Sequence, residues 1–148
     1  MSDLVPLLAP HQVAELLALD VDELERLMMQ LPQLDAPTTH YFGPGVCIRE
    51  AIIPQGAFAI GLPHKEASMN IMLKGRLALR TPDGDVREVT PPLIMTTGPG
   101  QKVAYALEET VWCNVFATDE TDVEKIEERF VIKSDAWKKW KETAQWQS

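Results

Sequence analysis

Cysteine is scarce in this sequence, with only Cys47 and Cys113 among 148 residues. Two cysteines far apart in a core-forming chain are expected to be reduced and buried, not bridged. Basic residues are also short, 14 against 22 acidic ones, for a net charge of −8. Such a balance repels a phosphate backbone and argues against nucleic acid as a partner. No uncharged run is long enough for a membrane-spanning helix, because Pro and Gly break every candidate. The opening MSDLVPLL has neither a basic leader nor a small-residue cleavage site, so no secretory signal is expected. Phosphate-cradling glycine loops, Cys-x-x-Cys pairs and nucleophile elbows are all missing.

What is present reads as one domain with helical appendages. In residues 1–37, Val13, Leu16 and Leu17 form an apolar stripe after Pro10. Asp20 and Glu23 look like a capping pair for a second helix, which buries Leu24, Leu27, Met28 and Leu31 and ends before Pro32 and Pro37. This arm has one basic residue, Arg26, against seven acidic ones, so its helix pair is read as a packing arm and not as a DNA reader. Residues 38–118 change character. Short alternating runs predict strands near 46–53, 57–61, 68–73, 76–81, 86–90, 93–96, 101–106 and 110–117, with a hairpin turn at Pro82-Asp83-Gly84-Asp85. Residues 119–148 return to helix, opened by a Thr121/Glu124 capping box with Val123, Ile126 and Phe130 on one face. A further short helix after Ser134 carries Trp137 and Trp140. With Trp146 and the interleaved lysines, these tryptophans mark a candidate interface.

The stretch GLPHKEASMNIMLKG, Gly61 to Gly75, has the outline of the first cupin motif. It resembles that family in spacing while lacking most of its chemistry. Leu62 stands where the first histidine belongs, His64 at the second, and Ser68 at the glutamate. In the second motif, around Thr97-Gly98-Pro99-Gly100, Val103 falls at the histidine position. Leucine and valine offer no lone pair, and a serine hydroxyl is a poor transition-metal ligand. Glu66, His40 and Cys113 are further potential donors, but spacing does not bring them together. No metal, cofactor or catalytic residue is therefore expected. His64 reads as a hydrogen-bonded or surface residue at the barrel mouth, with Ser68 and Tyr105 beside it as a ligand site.

The combination of HYFGPGVCIRE at His40–Glu50, NIMLKGR at Asn70–Arg76, YALEETVW at Tyr105–Trp112 and ATDETDVE at Ala117–Glu124 resembles small cupin-like proteins encoded by tailed bacteriophages. The resemblance implies a mainly β, cupin-type antiparallel β-barrel, or jelly roll, with an N-terminal helical arm and C-terminal helices. Synthesis in a host cytoplasm is expected from the two cysteines and the missing leader, and a place in the virion from the lost ligand set, the phage-like residues and the two extensions with apolar helix faces. The leading expectation is a non-enzymatic structural protein, such as a capsid decoration component. It would be a homo-oligomer contacting capsid or other virion proteins. The alternatives are a small-ligand binder or metal-dependent cupin enzyme, and a phage regulator that binds a host protein through its tail tryptophans.

Overall fold

The computed structural model describes residues 6–34, 36–135, 138 and 139. Trp137, Trp140 and Trp146, expected to form an interface, lie outside the described residues. Two short helices come first, α1 (Pro10–Leu17) and α2 (Val21–Met29). Seven strands follow: β1 (Thr38–Gly43), β2 (Val46–Ile53), β3 (Phe58–Ile60), β4 (Ser68–Arg80), β5 (Val86–Val89), β6 (Leu93–Thr97) and β7 (Val103–Phe116). Helix α3 (Val123–Phe130) comes after the last strand. A helical turn beyond Ser134 is marked by the Lys138 N–H donating to the Ser134 carbonyl at 3.0 Å.

All strand pairs are antiparallel, and two long strands organise them. The first half of β4 and the second half of β7 sit in one layer with β1, β2 and β6. Their other halves form a second layer with β3 and β5. Each long strand thus belongs to both layers and folds around the core. That core holds Ile53, Met72, Leu77, Leu79, Ala104, Ala106 and Trp112.

The sequence divides β4 and β7 into two strands each, and the structure joins them. The reason is the irregular pairing of β4 with β7 between Met72 and Leu77. Before it, Asn70 and Met72 point inward; after it, Leu77 and Leu79 do. The inward side therefore switches from even to odd positions, as extra residues at a bulge allow. Gly75 sits at this point with φ +101°, and a Cβ there would overlap Thr110 Oγ1 and the Glu109 carbonyl. Only glycine tolerates both the conformation and the approach. Strand β1 was not expected at all. It is an edge strand, mostly exposed, so it lacks the alternation that reveals a half-buried strand.

The helices cover specific surfaces. Val13, Leu17 and Leu24 pack on Val103 and Tyr105, on the outer side of the second layer. Arg80 Nη1 donates to the carbonyls of Leu17 and Leu19, each at 2.6 Å, and so satisfies the open end of α1. Leu27 and Leu31, expected to be buried, are exposed because α2 meets the barrel mainly along the Leu24 edge. The N-cap of α3 is Asp122, whose carboxylate accepts from the Glu124 N–H at 3.0 Å, and not Thr121. Through Ile126 and Phe130, α3 packs on Cys47 and Phe116 and covers one end of the barrel. Both cysteines are free and buried, Cys47 on the inner side of its strand against Phe116. Among the described residues no helix is long and apolar enough to cross a membrane.

Candidate functional site

The end of the barrel beneath α3 gathers the polar residues of the interior. Directly paired residues on neighbouring strands share a face. The register aligns His40 with Arg49, Arg49 with Asn114, Asn114 with Asn70, and Asn70 with Met95. Asn70 is fully buried and two residues from the core residue Met72, so this row faces inward.

His64 approaches the row from the loop between β3 and β4. Its N–H donates to the Gly100 carbonyl at 2.8 Å, and the Gly100 N–H returns to the His64 carbonyl at 2.9 Å. On its flanks, Ile132 N–H donates to the Pro63 carbonyl and Lys65 N–H to the Phe130 carbonyl. The chain leaving α3 thereby fixes His64 from the other side. Gly100 has φ +119°, and a Cβ there would lie 2.9 Å from Pro82 Cβ, so glycine is required at this bridge too. The imidazole stacks on Phe116 with a centroid separation of 5.9 Å and an interplanar angle of 9°.

His64 is thus 9% exposed, with no side-chain hydrogen bond among the described residues. It is neither the surface residue nor the hydrogen-bonded one expected from the sequence. Burial, then the Lys102 and Arg49 cations, push its pKa down to about 4, so the ring is neutral at physiological pH. Lys102 immediately precedes β7. The inward side of that strand is set by Ala104 and Ala106, so alternation turns Lys102 inward and Val103 outward. Burial lowers the Lys102 pKa to about 8. Burial also lowers the pKa of Arg49, while the carboxylate of Glu127 opposes that shift. His40 is held below its ordinary value by burial and by Arg49.

The other two expected site residues go elsewhere. Ser68 Oγ lies 3.4 Å from Thr97 Oγ1, within a network centred on Asn70. Asn70 Nδ2 donates to Thr97 Oγ1 and the Met95 carbonyl, and Asn70 Oδ1 accepts from Trp112 Nε1. Among the described residues no hydrogen bond joins this network to His64. Tyr105 is 0% exposed, under the N-terminal helices, with its hydroxyl accepting from the Leu8 N–H at 2.8 Å. The structure places it on the outer side of the sheet, away from the mouth.

Sequence reading missed Arg49, Lys102 and Asn114. Asn114 is 8% exposed, and its Oδ1 has no hydrogen-bond partner among the described residues. The one signal available was the adjacent charged pair Arg49 and Glu50 in the otherwise apolar run of β2, of which the register turns Arg49 inward.

A cupin metal site needs several donors around one ion, and these residues do not supply them. Val103 is buried beneath the N-terminal helices, Leu62 has no donor, and Ser68 is engaged with Thr97. Among the described residues no three His, Cys, Asp or Glu side chains converge. Cations occupy the mouth instead. An open groove of about 550 Å³ between the α1–α2 junction and the turn after β4 is a weaker candidate. Its charged groups, Arg80 and Asp20, already serve the end of α1 and the start of α2.

No protein-family model and no curated protein matches this chain. Solved structures do. The ectoine synthase from P. lautus superposes with a TM-score of 0.53 at 14% identity, over 71% of this chain and 83% of that one. The cupin domain of an XRE-family transcriptional regulator from Enterobacter cloacae gives 0.49 at 14% identity, over 59% and 100%. An RmlC-like cupin of double-stranded β-helix fold from Methanocaldococcus jannaschii gives 0.44 at 12% identity, over 60% and 87%. At such identities the likeness is one of fold. The chain has a mainly β, cupin-type antiparallel barrel with N-terminal helices and a C-terminal helix.

Proposed function

We propose that this chain is a metal-independent binding protein that takes a small polar ligand at the mouth of its barrel. The observation that supports this most is Asn114 Oδ1, a buried acceptor left without a partner in the floor of a polar row. An unpaired buried polar atom costs on the order of 1–3 kcal/mol, which a ligand donor would recover. The reading is one of binding and not turnover. Among the described residues no carboxylate, hydroxyl or thiol is hydrogen-bonded to the His64 ring, so no acid–base–nucleophile array is assembled. A test is an NMR screen of a mixed library of neutral and charged fragments against ¹⁵N-labelled protein. Shifts clustered at Arg49, His64, Lys102 and Asn114 are expected. A library that leaves these residues unmoved would end the reading.

A second reading is assembly, as a virion component built from copies of this chain. It is favoured by the outer side of the first layer, where Met69, Leu73 and Ile94 are 47%, 58% and 70% exposed. Apolar residues grouped on one sheet face mark interaction surfaces. Mass spectrometry of purified phage particles tests it, and absence from the particles would remove it.

A further inference from the structure

We propose that the ligand of the barrel mouth is a small organic anion carrying a hydrogen-bond donor, its anionic group held by Arg49 and Lys102 and its donor received by Asn114 Oδ1. This rests on the binding reading above and adds the chemical class.

The placement carries it. Arg49 is paired with Asn114 in the register, so the guanidinium and the orphan carbonyl leave neighbouring backbone positions on the same inward face. Lys102 turns inward beside His64, which is bridged to Gly100 two residues before it. Among the described residues, the charged and titratable groups around the mouth are His40, Cys47, Arg49, His64, Lys102, Glu127 and Lys133. Glu127 is the one carboxylate among these described groups, and it is already bonded to Lys133. Arg49 and Lys102 make no ion pair or side-chain hydrogen bond among the described residues. Both are half-buried, where a charge without an ion-pair partner is costly, and the nearby Glu127 carboxylate offsets that cost for Arg49 only in part. The lowered pKa of Lys102 is the mark of that cost.

A protein of net charge −8 does not attract anions over its surface at large. A local pair of half-buried cations on such a protein therefore favours one anion in one place. The polarity is the reverse of a metal-binding barrel, where neutral and acidic side chains surround a cation. The planar fork of Arg49 suits either a carboxylate or a phosphate. The orphan acceptor adds the demand for an adjacent donor such as a hydroxyl or amine, which sulfate or chloride lacks. His64, neutral and stacked on Phe116, supplies one ring donor and one ring acceptor at the wall.

The test titrates three probes at constant ionic strength: L-malate, sn-glycerol 3-phosphate and the neutral diamide of malic acid. Binding is read from NMR shifts of the Arg49 and Asn114 side chains. At least one of the anions should saturate these signals, and the diamide should bind about tenfold more weakly or worse. Arg49→Gln and Lys102→Gln should each weaken the anion by about tenfold, while Arg49→Lys and Lys102→Arg retain more of the affinity. Malate over phosphate, or the reverse, identifies the anionic group. Equal binding of the diamide would overturn the anion assignment and leave the binding reading standing. Anion shifts that survive both Gln variants would place the site elsewhere and overturn the proposal. If neither anion moves these residues, the proposal fails. The fragment screen then decides separately whether the binding reading survives.

Discussion

His64 shows how much a single side chain depends on what surrounds it. Its ring is buried against Phe116, beside two cations, and its pKa falls to about 4. The unfolded chain takes up the proton near pH 6.5, before the folded one does. Stability contributed by a neutral His64 is therefore complete above about pH 6.5 and declines as pH falls toward 4. Urea unfolding of the wild type and of His64→Phe should show the wild type losing more stability between pH 7 and pH 4.5. Parallel losses would mean that the imidazole titrates normally. His64→Ala, which looks harmless if the residue is at the surface, is expected to cost about 1–3 kcal/mol through lost packing. Lys102 behaves in the opposite sense from a residue kept for stability. Its charge is held at a cost at neutral pH, so Lys102→Met should raise the melting temperature while removing anion binding. A lower melting temperature would show that Lys102 supports the fold.

Among the elements, β4 carries the most consequence. Its bulge lets one strand serve two layers, and Gly75 makes the bulge possible. Gly75→Ala is expected to destabilise the protein by about 2–4 kcal/mol, measured by denaturant unfolding, because both the positive φ and the contact with Thr110 oppose it. A variant within about 0.5 kcal/mol of wild type would show that the strand can pair without the bulge. Here the limits of sequence reading are physical. Strands β2, β3, β5 and β6 were legible, because alternation and turn residues mark them. The continuity of β4 and β7 was not, since a bulge breaks the alternation while the strand goes on. Edge strand β1 buries too little to leave a pattern. The site was legible only at His64. Motif spacing drew attention to Val103, but the inward residue is its neighbour Lys102, and only the side of the strand tells them apart.

Over the whole molecule, the two layers have different outer surfaces. The second is covered by α1 and α2. The first leaves Met69, Leu73 and Ile94 exposed among the described residues. The proposed homo-oligomer would use this face, and Ile94→Lys should reduce the mass seen by light scattering. An unchanged mass would separate the apolar face from assembly. The interior divides in the same way, with an apolar half around Trp112 and a polar mouth under α3. The central claim concerns that mouth, and the pH titration of the Lys102 ammonium by NMR, with and without L-malate, tests it most directly. The account predicts a pKa of about 8 in the free protein, rising when the anion neutralises the site. An ammonium that titrates near its ordinary value and ignores the anion would contradict it.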